Sequence, residues 1–208
     1  MLEAAGSESA DVLRLWRILC ILFLWVFLVV ITFVAAALAA KKLETFPKYA
    51  GKIFLVGLVF TTVVLFAVVA TSFQTSSASV SAENQSAQIE VVGKLWWWEV
   101  NYLSPDGDIL FTTANEIHLP LNKVTRIRLL AADVIHSFWV PELGGKVDMI
   151  PGHRNYIELE PHKLGNFTGL CAELCGKQHA LMTISVVVEP TDAYQNWISD
   201  QSKPNTVP

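Results

Sequence analysis

The chain has 208 residues, a formal charge of -4, 52% hydrophobic residues and a mean hydropathy of +0.42. That is too apolar for an ordinary soluble domain, and a net negative chain with 16% charged residues and no long charge run is not expected to bind nucleic acid. Two stretches near the N-terminus hold almost no charge while the remainder reads as a soluble sequence, so a membrane anchor carrying one domain is expected.

The apolar stretches run from about Ile18 to Ala40 and from about Ile53 to Thr71, each close to the roughly 20 residues that a helix needs to cross a hydrocarbon core. Residues 1–72 therefore read as a transmembrane helical hairpin, with spans at about 18–40 and 53–71. A signal peptide is the competing reading of the first stretch, but its apolar run is too long, and Lys41-Lys42 stand where a small-residue cleavage site belongs. Lys41, Lys42, Lys48 and Lys52 face only Glu44 in the connection between the spans, whereas the tail sets Glu3, Glu8 and Asp11 against Arg14 and Arg17. Positively charged loops stay in the cytoplasm, so the N-terminus and everything after Thr71 are expected outside a prokaryotic cytoplasmic (inner) membrane, in the periplasm or its equivalent. Cys20 falls in the first span and is expected only to pack there.

Residues 73–87 are rich in Ser, Ala, Gln and Asn without an apolar period and read as a polar linker. From Ile89 onward, short runs enriched in β-branched and aromatic residues follow: IEVVGKLWWWEVNY, EIHLP, VTRIRLLAADVI, RNYIELE, FTGL and MTISVVVEP. Turn clusters such as Ser104-Pro105-Asp106-Gly107, Leu143-Gly144-Gly145 and Pro151-Gly152 separate them, the spacing of an all-β sandwich or Greek-key barrel over residues 88–190. Residues 191–208 read as a C-terminal helix and tail, with Thr191 or Asp192 as the helix cap.

The chemistry concentrates in Cys171-Ala-Glu-Leu-Cys-Gly-Lys-Gln-His-Ala-Leu-Met182, which offers Cys171, Cys175, His179 and Met182. His136, in DVIHSFWVP, reads as the end of another strand and a fifth donor. Thiolate and thioether donors favour copper, and two His, one Cys and a weak Met make a single-copper electron-transfer site. Here there is one thiolate more, and two thiolates can each bridge two metals, giving a pair of coppers that shares one electron. No acid, base or nucleophile accompanies the cluster, so no catalytic residue is expected on this chain. Three other readings stand beside this one. They are a Cys171–Cys175 disulfide, a zinc site of His136, Cys171, Cys175 and His179 that leaves Met182 unexplained, and His136 and Met182 as ordinary core residues.

The pattern C-x-E-x-C-x3-H-x2-M with an upstream D-V-x-H-S resembles the copper A domain of cytochrome c oxidase subunit II. The two-span hairpin, the Trp cluster and GKVDMIPG extend the resemblance over nearly the whole chain. It implies a membrane-anchored all-β protein, in which a two-helix transmembrane hairpin is followed by a cupredoxin-like Greek-key β-barrel. It implies a binuclear copper A centre of two coppers bridged by Cys171 and Cys175, with His136 and Met182 on one copper and His179 and the Glu173 backbone carbonyl on the other. The Glu173 side chain would reach a magnesium ion at the interface with subunit I. Trp96 would receive electrons from cytochrome c, and Asp133 and Asp148 match the family's docking acids. The implied partners are subunit I, which carries the haem where oxygen is reduced, subunit III, cytochrome c and membrane lipid.

One departure stands out. PKYAGKIFL lacks the Glu that many relatives carry near the start of the second span, and Glu44 lies several residues too early. The copper A subunit of a nitric oxide reductase or another divergent haem-copper complex is therefore an alternative, as is a stand-alone membrane-tethered copper protein. A quinol-oxidising relative is disfavoured, because such members lack the copper ligands. The sequence holds no C-x-x-C-H, so no haem is expected on this chain.

Overall fold

The computed structural model describes residues 3–39, 46–78 and 88–203. They form two compact units, one of residues 14–83 and one in which residues 1–13 join residues 84–208.

The first of these units contains most of α1 (Ser7–Ala39) and all of α2 (Phe46–Ala78). Both helices are long and apolar enough to cross a membrane, and side chains such as Phe54, Phe66 and Leu38 are exposed, as expected of surfaces meant for lipid. Hydroxyls within them are satisfied locally: Thr32, Thr61 and Thr62 each donate to the carbonyl four residues back, at 2.7, 2.8 and 2.9 Å. The helices outrun the expected spans. α1 starts at Ser7 because Glu8 suits the positive end of the helix and the Ser9 hydroxyl accepts from the Gly6 N–H at 3.2 Å. α2 runs on through residues 73–78 of the expected polar linker, and the rest of that linker, residues 79–87, lies outside the described residues.

The second unit is a β-sandwich. Its strands are β1 (Ile89–Lys94), β2 (Trp97–Leu103), β3 (Ile109–Ala114), β4 (Glu116–Pro120), β5 (Thr125–Ala131), β6 (His136–Trp139), β7 (Val147–Met149), β8 (Asn155–Leu159), β9 (Gly165–Cys171) and β10 (Thr183–Glu189). They make two five-stranded sheets, β3-β2-β1-β5-β8 and β4-β10-β9-β6-β7. β1 pairs with β5, and β10 with β4, in parallel; these are the crossovers of a Greek-key arrangement. Alternation drives the packing: Ile89 and Val91 of β1, and Ile184, Val186 and Val188 of β10, turn inward around Trp98, Phe138 and Leu129.

Helix α3 (Thr191–Gln201) follows as expected, but Pro190 occupies its cap position and no side chain caps it. It is held by Trp197, which stacks on His118 at 3.8 Å and meets Tyr102 and Phe111 edge-on. The N-terminal residues strap onto the domain. The Ala5 N–H donates to the Glu142 carbonyl at 2.7 Å, the Ser9 hydroxyl to the same carbonyl at 2.6 Å, and the His162 N–H to the Ala5 carbonyl at 2.6 Å. Gly6 lies so close to this loop that a Cβ would sit 2.3 Å from the Leu143 oxygen, so only glycine fits there.

Candidate metal centre

Two strand ends and one loop build the centre. Cys171 ends β9, and β9 pairs with β6, aligning Phe138 with Cys171. His136 is the first residue of β6 rather than the end of β5, because Ala132–Ile135 turn the chain between the two sheets. The loop from Cys171 to Met182 is closed at its base by the Cys171 N–H donating to the Met182 carbonyl at 3.0 Å, and the Ala172 N–H donates to the Ser137 carbonyl at 2.9 Å. Inside it, a single 3-10 turn over His179–Leu181 aims the His179 ring back at the thiols.

The donors converge. His136 Nδ1 lies 3.8 Å from Cys171 Sγ, which lies 3.8 Å from Cys175 Sγ. Cys175 Sγ lies 3.6 Å from His179 Nδ1 and 3.8 Å from Met182 Sδ. The Glu173 carbonyl oxygen is 3.2 Å from Cys171 Sγ. His136, Cys171, Cys175 and Met182 are buried, so water is largely kept from the donor atoms. Burial pushes the Cys175 thiol up to about 11, and the adjacent Cys171 adds to the rise.

The arrangement bears on the competing readings. The two sulfurs are far outside the roughly 2.05 Å of a disulfide bond and are free thiols. Their separation still lets both reach one ion through bonds of about 2.3 Å. Met182 turns its thioether into the cluster, which a four-donor zinc site leaves without a role and which soft copper uses.

The surroundings fix the ligands. His136 Nε2 donates to Asp133 Oδ1 at 2.8 Å, which leaves the Nδ1 lone pair facing the thiols. Burial works to raise the Asp133 pKa, but the hydrogen bonds from His136, Val134 and Leu95 win and hold it below the usual carboxylate value. Gly93 of β1 lies flat against the imidazole: a Cβ there would come 2.9 Å from His136 Cδ2. A Gly93→Ala substitution is therefore expected to displace the ring and weaken copper binding by about 10- to 100-fold, read by competition titration of the full chain.

Trp96 is not on a strand. β1 ends at Lys94 and β2 begins at Trp97, so Leu95-Trp96 form a turn. Trp98 is wholly buried, Trp97 lies beneath the Lys94 ammonium, and Trp96 packs over Gly176 with its indole N–H donating to the Cys175 carbonyl at 3.1 Å. Gly176 has φ +112°, and a Cβ there would come 3.3 Å from the indole nitrogen. Asp148 is exposed on β7, opposite Ser137 in register. The roles of Gly93 and Gly176 were missed by sequence reasoning because nothing local marks them. The D-x-x-H spacing of Asp133 and His136 carried a usable signal.

Residues 102–189 match the family described as cytochrome c oxidase subunit II, periplasmic domain. Among solved structures, one of a mixed disulfide intermediate between a thioredoxin-like protein and subunit II of cytochrome c oxidase is 33% identical. It aligns over 59% of this chain and 96% of its own, with a TM-score of 0.50. The chain belongs to the cytochrome c oxidase subunit II family. Among curated subunit II proteins, cytochrome c oxidase subunit 2 of Alkalihalophilus pseudofirmus is 40% identical over 119 residues, 57% of this chain and 34% of that protein. The probable cytochrome c oxidase subunit 2 of Rickettsia bellii is 32% identical over 158 residues, 68% of this chain and 59% of its own length. The chain thus spans about a third to three fifths of these subunit II relatives.

Proposed function

We propose that this subunit II chain is the electron-accepting subunit of a respiratory haem-copper oxidase, taking electrons from cytochrome c for delivery to haem in subunit I, where oxygen is reduced. The observation that carries the reading is the convergence of two unbonded thiols, two imidazole Nδ1 atoms, one thioether and one backbone carbonyl in a single buried cluster. Cys171, Cys175, His136, Met182, His179 and the Glu173 carbonyl would together hold two coppers, which would supply reversible one-electron exchange there.

The chain's own residues do the rest. The paired ends of β6 and β9 hold the ligands so that little must move on reduction, and burial keeps solvent from reorganising around them. Trp96 offers a partly exposed ring hydrogen-bonded to the backbone of a ligand, which suits it to receive the electron. Asp148 and the outer part of Asp133 favour a basic donor. The Glu173 carboxylate, beside the cluster, would bind magnesium together with ligands from subunit I, since one carboxylate makes a poor site alone. Subunit III is the further expected neighbour.

The strap supports the orientation. Residues 3–9 are hydrogen-bonded within the same unit as the β domain, which is compatible with a hairpin whose Lys-rich connection would stay in the cytoplasm. For the same reason the test uses the full chain rather than a fragment that lacks residues 3–9. Loaded with copper, it is expected to hold two coppers and to give one electron paramagnetic resonance signal shared by both ions. One copper per chain, or zinc held in preference, would refute the proposal.

A further inference from the structure

Asp133, in the turn between β5 and β6, lies at the surface, yet both of its carboxylate oxygens are engaged within the chain. Asp133 Oδ1 accepts from the Val134 N–H at 2.7 Å and from His136 Nε2–H at 2.8 Å, and Oδ2 accepts from the Leu95 N–H at 2.8 Å. Two of these partners serve different elements of the centre. His136 presents Nδ1 to the thiols, and Leu95 precedes Trp96, whose indole donates to the carbonyl of Cys175. The contacts close a ring: Asp133, His136, Cys171, Cys175, Trp96, Leu95 and back to Asp133.

Burial alone does not hold the Leu95-Trp96 turn, because Leu95 is 40% exposed. Two hydrogen bonds tie it to the centre, one from each end, and Asp133 supplies the one that also fixes a ligand. A carboxylate kept only for docking a donor would turn its oxygens to solvent, whereas here both oxygens are engaged within the chain and the side chain is 31% exposed.

We propose that Asp133 is a positioning residue that locks the surface ring of Trp96 and the buried imidazole of His136 into one fixed relation, and so sets the route by which electrons reach the ligands. The inference rests on the function proposed above. It goes beyond docking: the charge of Asp133 matters less than its two oriented acceptor oxygens.

The test uses the full chain in its metal-free form, by nuclear magnetic resonance, with Asp133→Asn, Asp133→Ala and, as a charge control, Asp148→Asn. Asparagine keeps an oxygen for Val134 and His136 but sets an amide NH2 against the Leu95 N–H. Exchange of the Leu95 amide is expected to rise about tenfold or more, while the His136 nitrogen shifts still report a protonated Nε2. Alanine is expected to free both partners, speeding exchange of the Leu95 amide and the Trp96 indole and mixing the His136 tautomers. Asp148→Asn should change none of these. Unchanged Leu95 exchange in both Asp133 variants, or a His136 tautomer indifferent to alanine, overturns the inference. These readouts need no metal, so they stand apart from the copper count that tests the proposed function.

Discussion

Replacing Cys175 with serine is expected to abolish binding of the proposed copper pair, leaving at most one weakly held ion per chain. Its sulfur is the hub of the donor set, within 3.8 Å of Cys171 Sγ and Met182 Sδ and 3.6 Å of His179 Nδ1. A serine hydroxyl does not ionise near neutral pH and offers a hard oxygen where soft metal needs thiolate. The loss should exceed about 100-fold in affinity, more than removal of an outer-shell partner costs. Cys171→Ser should behave alike, and Cys20→Ser should change nothing. Copper uptake must also displace a proton: with its pKa pushed up to about 11, the Cys175 thiol is protonated at neutral pH in the metal-free chain. Apparent affinity is therefore expected to fall as pH falls, by about tenfold per pH unit for each proton displaced. Competition titrations of wild type and the serine variants at two pH values check both expectations; an affinity indifferent to pH would exclude thiol ligation.

Trp98→Ala should be the most destabilising change in the β domain. The ring is 0% exposed, edge-on to Phe138 at 5.7 Å and 6.2 Å from the His136 ring, so truncation opens a cavity beside the centre. Such deletions cost about 3–5 kcal/mol, a large share of the roughly 5–15 kcal/mol by which a domain is stable. Among the described residues no group accepts from the buried indole N–H of Trp98, so Trp98→Phe should cost far less. Trp97→Ala, which removes a half-buried ring under Lys94, should stay within about 1 kcal/mol. Denaturant unfolding of the metal-free chain ranks the three; equal costs for Trp97 and Trp98 would refute the packing argument.

The sequence made the chemistry legible because donors announce themselves by type. Cys171, Cys175, His179 and Met182 stand within one loop, and few other roles use that set. Both apolar spans were legible for the same reason, as were strands with one buried face, such as β1 and β10. β3 was not: it lies at the edge of its sheet, with Ile109 and Leu110 exposed, so no alternation marks it. β7, at three residues, is too short to carry a period.

What the sequence determined by itself is therefore the donor inventory, the two long apolar helices and the all-β character of the domain, each encoded in neighbouring residues. Only the tertiary structure decided that His136 begins a strand and meets a thiol 35 residues away, that Trp96 sits in a turn and bonds Cys175, that Asp133 bonds both His136 and Leu95, and that the N-terminal residues strap the domain. These depend on sheet register and on close approach, at Gly6 to the Leu143 backbone, at Gly93 to the His136 ring and at Gly176 to the Trp96 ring. Local periodicity cannot encode such contacts, because they arise only after the strands have paired.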